Sequence, residues 1–159
     1  MTGWRGMIGA MALLAGCTGM ASSAGVPGAA QAESISFQLN SWGYPVEGFT
    51  IASDGTGEYR KAPEFRAEPR VTRFAAGRAG YAQIRAALAP VRRHASREVP
   101  CGQRMTDMPY GDIVWQSGSN RDTVSLNVGC RSAEMQAVVA RAQQATTLAE
   151  GFARTNPAR

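Results

Sequence analysis

An alternation of apolar and polar side chains predicts strands in the first part of the chain. Ile35, Phe37 and Leu39 occupy every second position, which is the period of a half-buried β-strand. Farther along, Asp54 and Gly55 form a dipeptide that strongly favours a tight hairpin turn. We therefore expect antiparallel strands at residues 34–40, 47–53, 58–60 and, from a weaker pattern, 71–74.

The clearest strand pattern lies in the last third of the chain, over residues 122–130. Every second residue there is apolar, which places these side chains on one face of a strand: Val124, Leu126, Val128 and Cys130. Cys130 is therefore expected to point into the core. This strand is preceded by a shorter predicted strand and a polar turn, at residues 112–116 and 117–121.

Two segments have the spacing of amphipathic helices. An apolar stripe that begins at Tyr81 predicts a helix over residues 77–89, which Pro90 should end or kink. Ser132 is the predicted N-cap of a second helix, which Gly151 is expected to close. This order of elements predicts an α+β fold, an antiparallel sheet of about five strands with two helices packed on one face.

The N-terminal segment is typical of a bacterial export signal. Arg5 is the only charged residue before an apolar run over residues 7–16, which is well short of the ~20 residues that span a bilayer. The sequence Leu14-Ala15-Gly16-Cys17 at the end of this run resembles the lipobox of bacterial lipoproteins. The resemblance covers only the leader and its cysteine, and it does not identify the family of the remaining domain.

The resemblance implies that the leader, residues 1–16, is a lipoprotein signal peptide and that Cys17 becomes an acylated N-terminus. Two or more fatty chains, such as palmitate, anchor a protein firmly where one chain does so only marginally. In many Gram-negative lipoproteins an Asp after the cysteine favours the inner membrane. Thr18 stands there instead, which favours the outer membrane, facing the periplasm. The alternative is an ordinary secretory signal cleaved at the A-x-A-like residues 30–32.

The segment after the leader has the composition of a flexible tether. Residues 17–33 are rich in Gly, Ala and Ser and show no apolar periodicity, and such a segment has an end-to-end reach of roughly 20 Å. Residues 34–159 are then predicted to form a single small α+β domain.

The chain contains three cysteines. With Cys17 assigned to lipid by the resemblance, Cys101 and Cys130 remain as a pair, and an oxidising compartment favours a disulfide between them. The alternative is two buried free thiols. The chain has no C-x-x-C or His-rich spacing of the kind that predicts a metal site, and we predict no cofactor.

Basic residues are concentrated in one segment of a chain whose net charge is +5. Residues 60–97 contain nine arginines and one lysine against two glutamates. Arg85, Arg92 and Arg93 within this segment are candidate contacts to anionic headgroups, other anionic envelope components or an acidic protein. The alternative is a solvated surface of an arginine-rich protein. Nucleic acid is not an expected partner of an exported, lipid-anchored protein.

Trp42 and Tyr44 are candidate recognition residues because aromatic side chains at a loop tip can anchor a partner. Trp42 could equally cap the core. A catalytic triad would have to use His94, the single histidine, but the chain has no G-x-S-x-G or comparable motif for a nucleophile. Asp107 and Asp112 suggest a glycosidase pair, although solvation of a loop and a strand edge is the simpler role. We therefore predict no catalytic residues.

Together these features predict a non-enzymatic, lipid-anchored envelope protein with an interaction domain in the periplasm. Its expected partners are the membrane, through acylated Cys17, and an anionic envelope component or a periplasmic protein. One alternative is an inhibitor or binding module for a periplasmic enzyme, which would insert a turn at residues 42–44 or 117–120 into a cleft. A further alternative is a hydrolase with an unrecognised site.

Overall fold

The computed structural model describes residues 32–158, and the predicted leader and Cys17 lie outside them. The strands are β1 (Glu33–Ser41), β2 (Tyr44–Ala52), β3 (Thr56–Lys61), β4 (Arg70–Ala75), β5 (Tyr110–Ser117) and β6 (Asn120–Asn127). The helices are α1 (Gly77–Leu88), which continues as a 3₁₀-helix (Ala89–His94), and α2 (Ala133–Thr155). The predicted α+β fold is confirmed, with six strands rather than about five.

The six strands form one antiparallel sheet in the order β4-β3-β2-β1-β5-β6. The central strand β1 pairs with β2 on one side and β5 on the other. Ile35 lies between Ile51 and Trp115 in this register, and all three side chains are buried. Each strand therefore adds its inward residues to a shared core, as the period of two requires.

Both helices cover the same face of the sheet. The predicted apolar stripe of α1 is buried. The α-helix ends at Leu88, and the chain continues as a 3₁₀-helix in which Pro90 is the second residue. Helix α2 buries a stripe of mostly small residues, and small side chains allow close approach to the sheet. No helix within residues 32–158 has both the length and the hydropathy required to cross a membrane.

The predicted strand over residues 122–130 is too long at its C-terminal end, because β6 stops at Asn127. A turn follows, in which the Asn127 side chain accepts a hydrogen bond from the Gly129 amide at 2.8 Å. The Cys130 amide donates to the Asn127 carbonyl at 3.2 Å. An Asn side chain that bonds its own backbone two residues ahead favours a turn over a strand. Cys130 is nevertheless completely buried, as expected.

The predicted closure of α2 at Gly151 is wrong, because the helix continues to Thr155. Glycine inside a helix costs about 1 kcal/mol relative to alanine. The turn beyond Gly151 offsets this cost by packing: the Phe152 and Phe74 rings lie 6.0 Å apart, and Ala153 is buried.

The direction of β1 defines two opposite ends of the sheet. At the near end, β1 begins at Glu33, which pairs with Ser117. At the far end, β1 finishes at Ser41, which pairs with Tyr44 across a tight turn. An antiparallel strand rises about 3.4 Å per residue, so these ends are roughly 27 Å apart. The loops over residues 62–69 and 101–109 also lie at the far end, where β3 and β5 pair with their neighbours.

Cys101 and Cys130 lie at disulfide distance, with 1.97 Å between their sulfur atoms and 4.7 Å between their Cα atoms. The link joins the 101–109 loop to the turn after β6. The start of α2 is held at the same place, because the Ser132 amide donates to the Cys101 carbonyl at 3.0 Å. The Ser132 hydroxyl caps α2 by accepting from the Met135 amide.

Replacing both Cys101 and Cys130 by serine should destabilise the domain. The link closes a segment with a sequence separation of 29, and loss of such a link costs about 3.6 kcal/mol in the chain-entropy model. Urea unfolding followed by circular dichroism measures the difference. Reducing agent should lower the unfolding free energy of the unmodified protein but not of the double variant. Equal unfolding curves for the oxidised and reduced protein would contradict this prediction.

Candidate functional site

The far end of the sheet carries a concentration of exposed apolar side chains. Among residues 32–158, six large apolar residues are exposed, and five of them lie here: Trp42, Tyr44, Phe65, Met105 and Tyr110. We call these five residues the apolar surface. Trp42 is 64% exposed, and the other four are between 40% and 55% exposed. Clusters of this kind mark interaction sites more often than isolated exposed residues do.

Trp42 lies at the tip of the two-residue turn between β1 and β2. Its φ is 54° and that of Gly43 is 81°, which is the backbone of a type I′ turn. Asn, Asp and Gly favour these positions, whereas a large aromatic residue with positive φ is strained. The Trp42 side chain is also outside the core cluster. The Trp42 indole is therefore exposed to solvent at a turn position where Asn, Asp or Gly would be less strained.

Tyr44 and Phe65 form an aromatic pair beside this turn. Their ring centroids lie 5.8 Å apart in an edge-to-face arrangement, which is favourable for aromatic quadrupoles. The guanidinium carbon of Arg66 lies 5.3 Å from the Tyr44 ring centroid and 5.2 Å from that of Phe65. These cation–π contacts hold the 62–69 loop against β2, while both rings remain partly open to solvent.

Two adjacent cavities extend the apolar surface along β5 and β6. A shallow cavity of about 350 Å³ lies beside Trp42, Met105 and Tyr110. A groove of about 500 Å³ lies between residues 97–104 and the paired ends of β5 and β6. Tyr110 and Arg104 line both cavities. This combination of an aromatic ring, a cation and a groove suits a partner that presents both apolar and polar groups.

The two carboxylates that suggest a glycosidase pair do not share a cavity. Asp107 lines the shallow cavity beside Trp42. Asp112 lines the larger groove and accepts a hydrogen bond from the Ser125 hydroxyl at 2.6 Å. His94 accepts a hydrogen bond from the Arg93 side chain at 3.3 Å. Within residues 32–158 no three His, Cys, Asp or Glu side chains cluster as a metal site would require.

The two turns that were candidates for insertion into an enzyme cleft point in opposite directions. The Trp42 turn is at the far end, where Ser41 pairs with Tyr44. The turn over residues 117–120 is at the near end, because Ser117 pairs with Glu33. One partner cleft therefore cannot receive both turns.

The three candidate arginines have different surroundings at the near end. The Arg92 guanidinium bonds Glu33 at 2.7 Å and Asp122 at 2.8 Å and lies 5.4 Å from the Trp115 ring centroid. It thus joins the 3₁₀-helix to β1, β5 and β6. Arg85 and Arg93 are exposed, and neither forms an ion pair within the described part of the chain.

Sequence reasoning identified Trp42 and Tyr44 but missed the rest of the apolar surface. Phe65, Met105 and Tyr110 lie in or beside loops, where no periodicity indicates which residues are exposed. A useful signal was available in Phe65, a large apolar residue within a short Pro- and Glu-containing segment. Their assembly with Trp42 depends on strand pairing that the sequence alone does not specify.

Comparisons with protein-family models and with curated proteins found no match to this chain. The function is therefore inferred from the chemistry of two surfaces. These are the apolar surface at the far end and the arginines at the near end.

Replacing Trp42 by Asn should maintain or raise the stability of the domain. Asn adopts positive φ readily, and relief of strain at such a position contributes on the order of 1 kcal/mol. Urea unfolding measures the change, with Trp115→Ala as the comparison. Trp115 is buried, and its truncation should cost about 3–5 kcal/mol. A loss of more than about 1 kcal/mol in Trp42→Asn would show that the exposed ring supports the fold.

Proposed function

We propose that this protein is a lipid-anchored bacterial envelope protein whose domain binds a partner protein through the apolar surface. It acts by binding rather than by catalysis and faces the periplasm. The observation that carries this proposal is the exposure of Trp42 on a strained turn, beside four further exposed apolar side chains. The anchor is supported separately, by the similarity of residues 14–17 to a lipobox.

The composition of the apolar surface favours a protein as the partner. Trp, Tyr, Phe, Met and Arg are enriched at the centres of protein interfaces, whereas Lys and Glu are depleted. The far end offers these enriched types, including Arg66 over two rings and Arg104 beside the groove. Trp, Tyr and Arg are also the residues that contribute most to binding when they enter a partner's pocket. Trp42, the most exposed member, is therefore the proposed centre of the interface.

The lipid anchor predicts a specific mature N-terminus. Mass spectrometry of protein purified from membranes should find a chain that begins at Cys17 and carries fatty acyl groups. Cys17→Ser should move the protein to the soluble fraction, since removal of all acyl chains removes the anchor. The double variant Cys101→Ser, Cys130→Ser is the matched control and should stay with membranes. An unmodified mature chain that begins at residue 33 would contradict the anchor and support an ordinary secretory signal.

Partner binding can be tested by photo-cross-linking from defined positions. A photoreactive amino acid in place of Tyr110, within the apolar surface, should give one major protein adduct in cells that produce the chain. The same group at position 141, on an exposed part of α2, serves as the positional control and should not. Adding Trp42→Asn should reduce the adduct from position 110 by about 30-fold, the effect of losing about 2 kcal/mol at a central interface residue. Adducts of equal yield from both positions, or none from position 110, would contradict the proposal.

A second candidate function is inhibition of a periplasmic enzyme by the Trp42 turn. The observation that favours it is the narrow, two-residue tip with its exposed indole, which has a suitable shape for a cleft. The partner identified by cross-linking would then be an enzyme. Titration with the purified domain should reduce its activity stoichiometrically, and Trp42→Asn should abolish this effect. Unchanged enzyme activity at saturating domain would leave simple binding as the function.

A further inference from the structure

Four exposed arginines lie at the near end of the domain, opposite the apolar surface. Arg78 and Arg85 are on α1, Arg93 is in the 3₁₀-helix and Arg121 is at the start of β6. We call these four residues the basic surface. None of them forms an ion pair with another residue between positions 32 and 158.

Contacts to the near-end strands and turns place these arginines. The pKa of Asp54 lies below its ordinary value, mainly because the Thr56 amide and hydroxyl donate to it, and Arg78 adds a smaller effect. Burial and a hydrogen bond to Glu33 raise the pKa of Tyr81 to about 12, against an opposing effect of Arg85. Arg78 lies three residues before Tyr81 and Arg85 four residues after it, so both are on the face of α1 whose Tyr81 hydroxyl donates to Glu33 at 2.7 Å. The start of α1 is held at the β2–β3 turn, where the Ala76 amide donates to the Gly55 carbonyl at 2.9 Å.

The near-end carboxylates do not neutralise the basic surface. Glu33 and Asp122 are both held by Arg92, at 2.7 Å and 2.8 Å, and the Tyr81 hydroxyl also donates to Glu33 at 2.7 Å. Asp54 accepts hydrogen bonds from the Thr56 amide at 2.8 Å and hydroxyl at 2.7 Å and keeps its negative charge. The three carboxylates therefore carry a charge of −3, against +5 for Arg92 and the four arginines of the basic surface. A positive charge that faces solvent therefore remains at this end.

We propose that the basic surface docks on anionic lipid headgroups of the membrane and orients the domain with its apolar surface pointing away. This inference rests on the proposed function, from which it takes the anchor at Cys17. Two observations carry it: the charge of the surface, and the start of β1 at the same end, where the chain leading from Cys17 joins the domain. The apolar surface lies roughly 27 Å away along the strands.

The expected strength of this contact is modest for each arginine and substantial for the group. A basic side chain close to an anionic membrane strengthens binding about fivefold, and the attraction falls off within a Debye length of ~8 Å at physiological salt. Three arginines together therefore contribute about 100-fold. Once the acyl chains hold the domain at the membrane, the local concentration of headgroups is high, so the surface is required only for orientation.

Vesicle flotation of the Cys17→Ser protein tests the basic surface without the anchor. Vesicles of phosphatidylcholine with about one-third phosphatidylglycerol should bind the domain at low salt, and binding should fall as salt rises. The variant Arg78→Gln, Arg85→Gln, Arg93→Gln should bind about 100-fold more weakly. The matched control Arg70→Gln, Arg104→Gln, Arg131→Gln removes the same charge from exposed positions away from the near end and should lose less than about threefold.

Three outcomes would overturn the proposal: equal losses in the two triple variants, equal binding to vesicles of phosphatidylcholine alone, or binding that is insensitive to salt. Urea unfolding of each variant shows that it is folded.

Failure of the anchor is a separate result. An unacylated native chain whose Cys17→Ser form still binds anionic vesicles would remove the anchor and retain the basic surface. An acylated chain whose Cys17→Ser form shows no preference for anionic headgroups would retain the anchor and remove the basic surface.

Discussion

The simultaneous pairing of β1 with β2 and β5 is the constraint on which the rest of the structure depends. Ile35 and Phe37 contribute to the core only in this register, in which their partners on β2 and β5 are also buried. A slip by one residue would turn both side chains to the opposite face. Because the register is fixed, the direction of β1 also fixes the two ends of the domain. The chain enters at Glu33, and the Trp42 turn lies at the opposite end.

Arg92 connects three strands at the near end through two ion pairs and a cation–π contact. Its guanidinium joins Glu33 of β1 to Asp122 of β6 and covers Trp115 of β5. A partly exposed ion pair contributes little stability by itself. Its larger consequence is electrostatic, because one guanidinium offsets half of the charge of two carboxylates and the exposed arginines outnumber what remains. Arg93 is adjacent in the sequence but exposed, so the two arginines have different environments despite equal charge.

Periodicity predicted the parts of the fold in which burial depends on local sequence, such as the Ile35–Phe37–Leu39 alternation and the stripe of α1. It failed at the ends of two elements. A local hydrogen bond from the Gly129 amide to the Asn127 side chain ends β6, and the packing of Phe152 on Phe74 extends α2. An apolar–polar alternation reveals neither contact. The apolar surface was predictable only at Trp42 and Tyr44, because loops far apart in the sequence supply its other members. The different surroundings of Arg92 and Arg93 likewise depend on strand positions rather than on local sequence.

Backbone strain and cross-links occur together at the far end. Among residues 32–158, four non-glycine residues have positive φ, and three of them lie there: Trp42, Arg66 and Asp107. Such conformations persist only where surrounding contacts hold them. The Arg66 cation–π contacts hold one loop, and the link between Cys101 and Cys130 restrains the other. Restrained loops lose less conformational entropy when a partner binds. The near end has exposed arginine side chains instead. This difference is why we propose partner binding for the far end and a diffuse electrostatic contact for the near end.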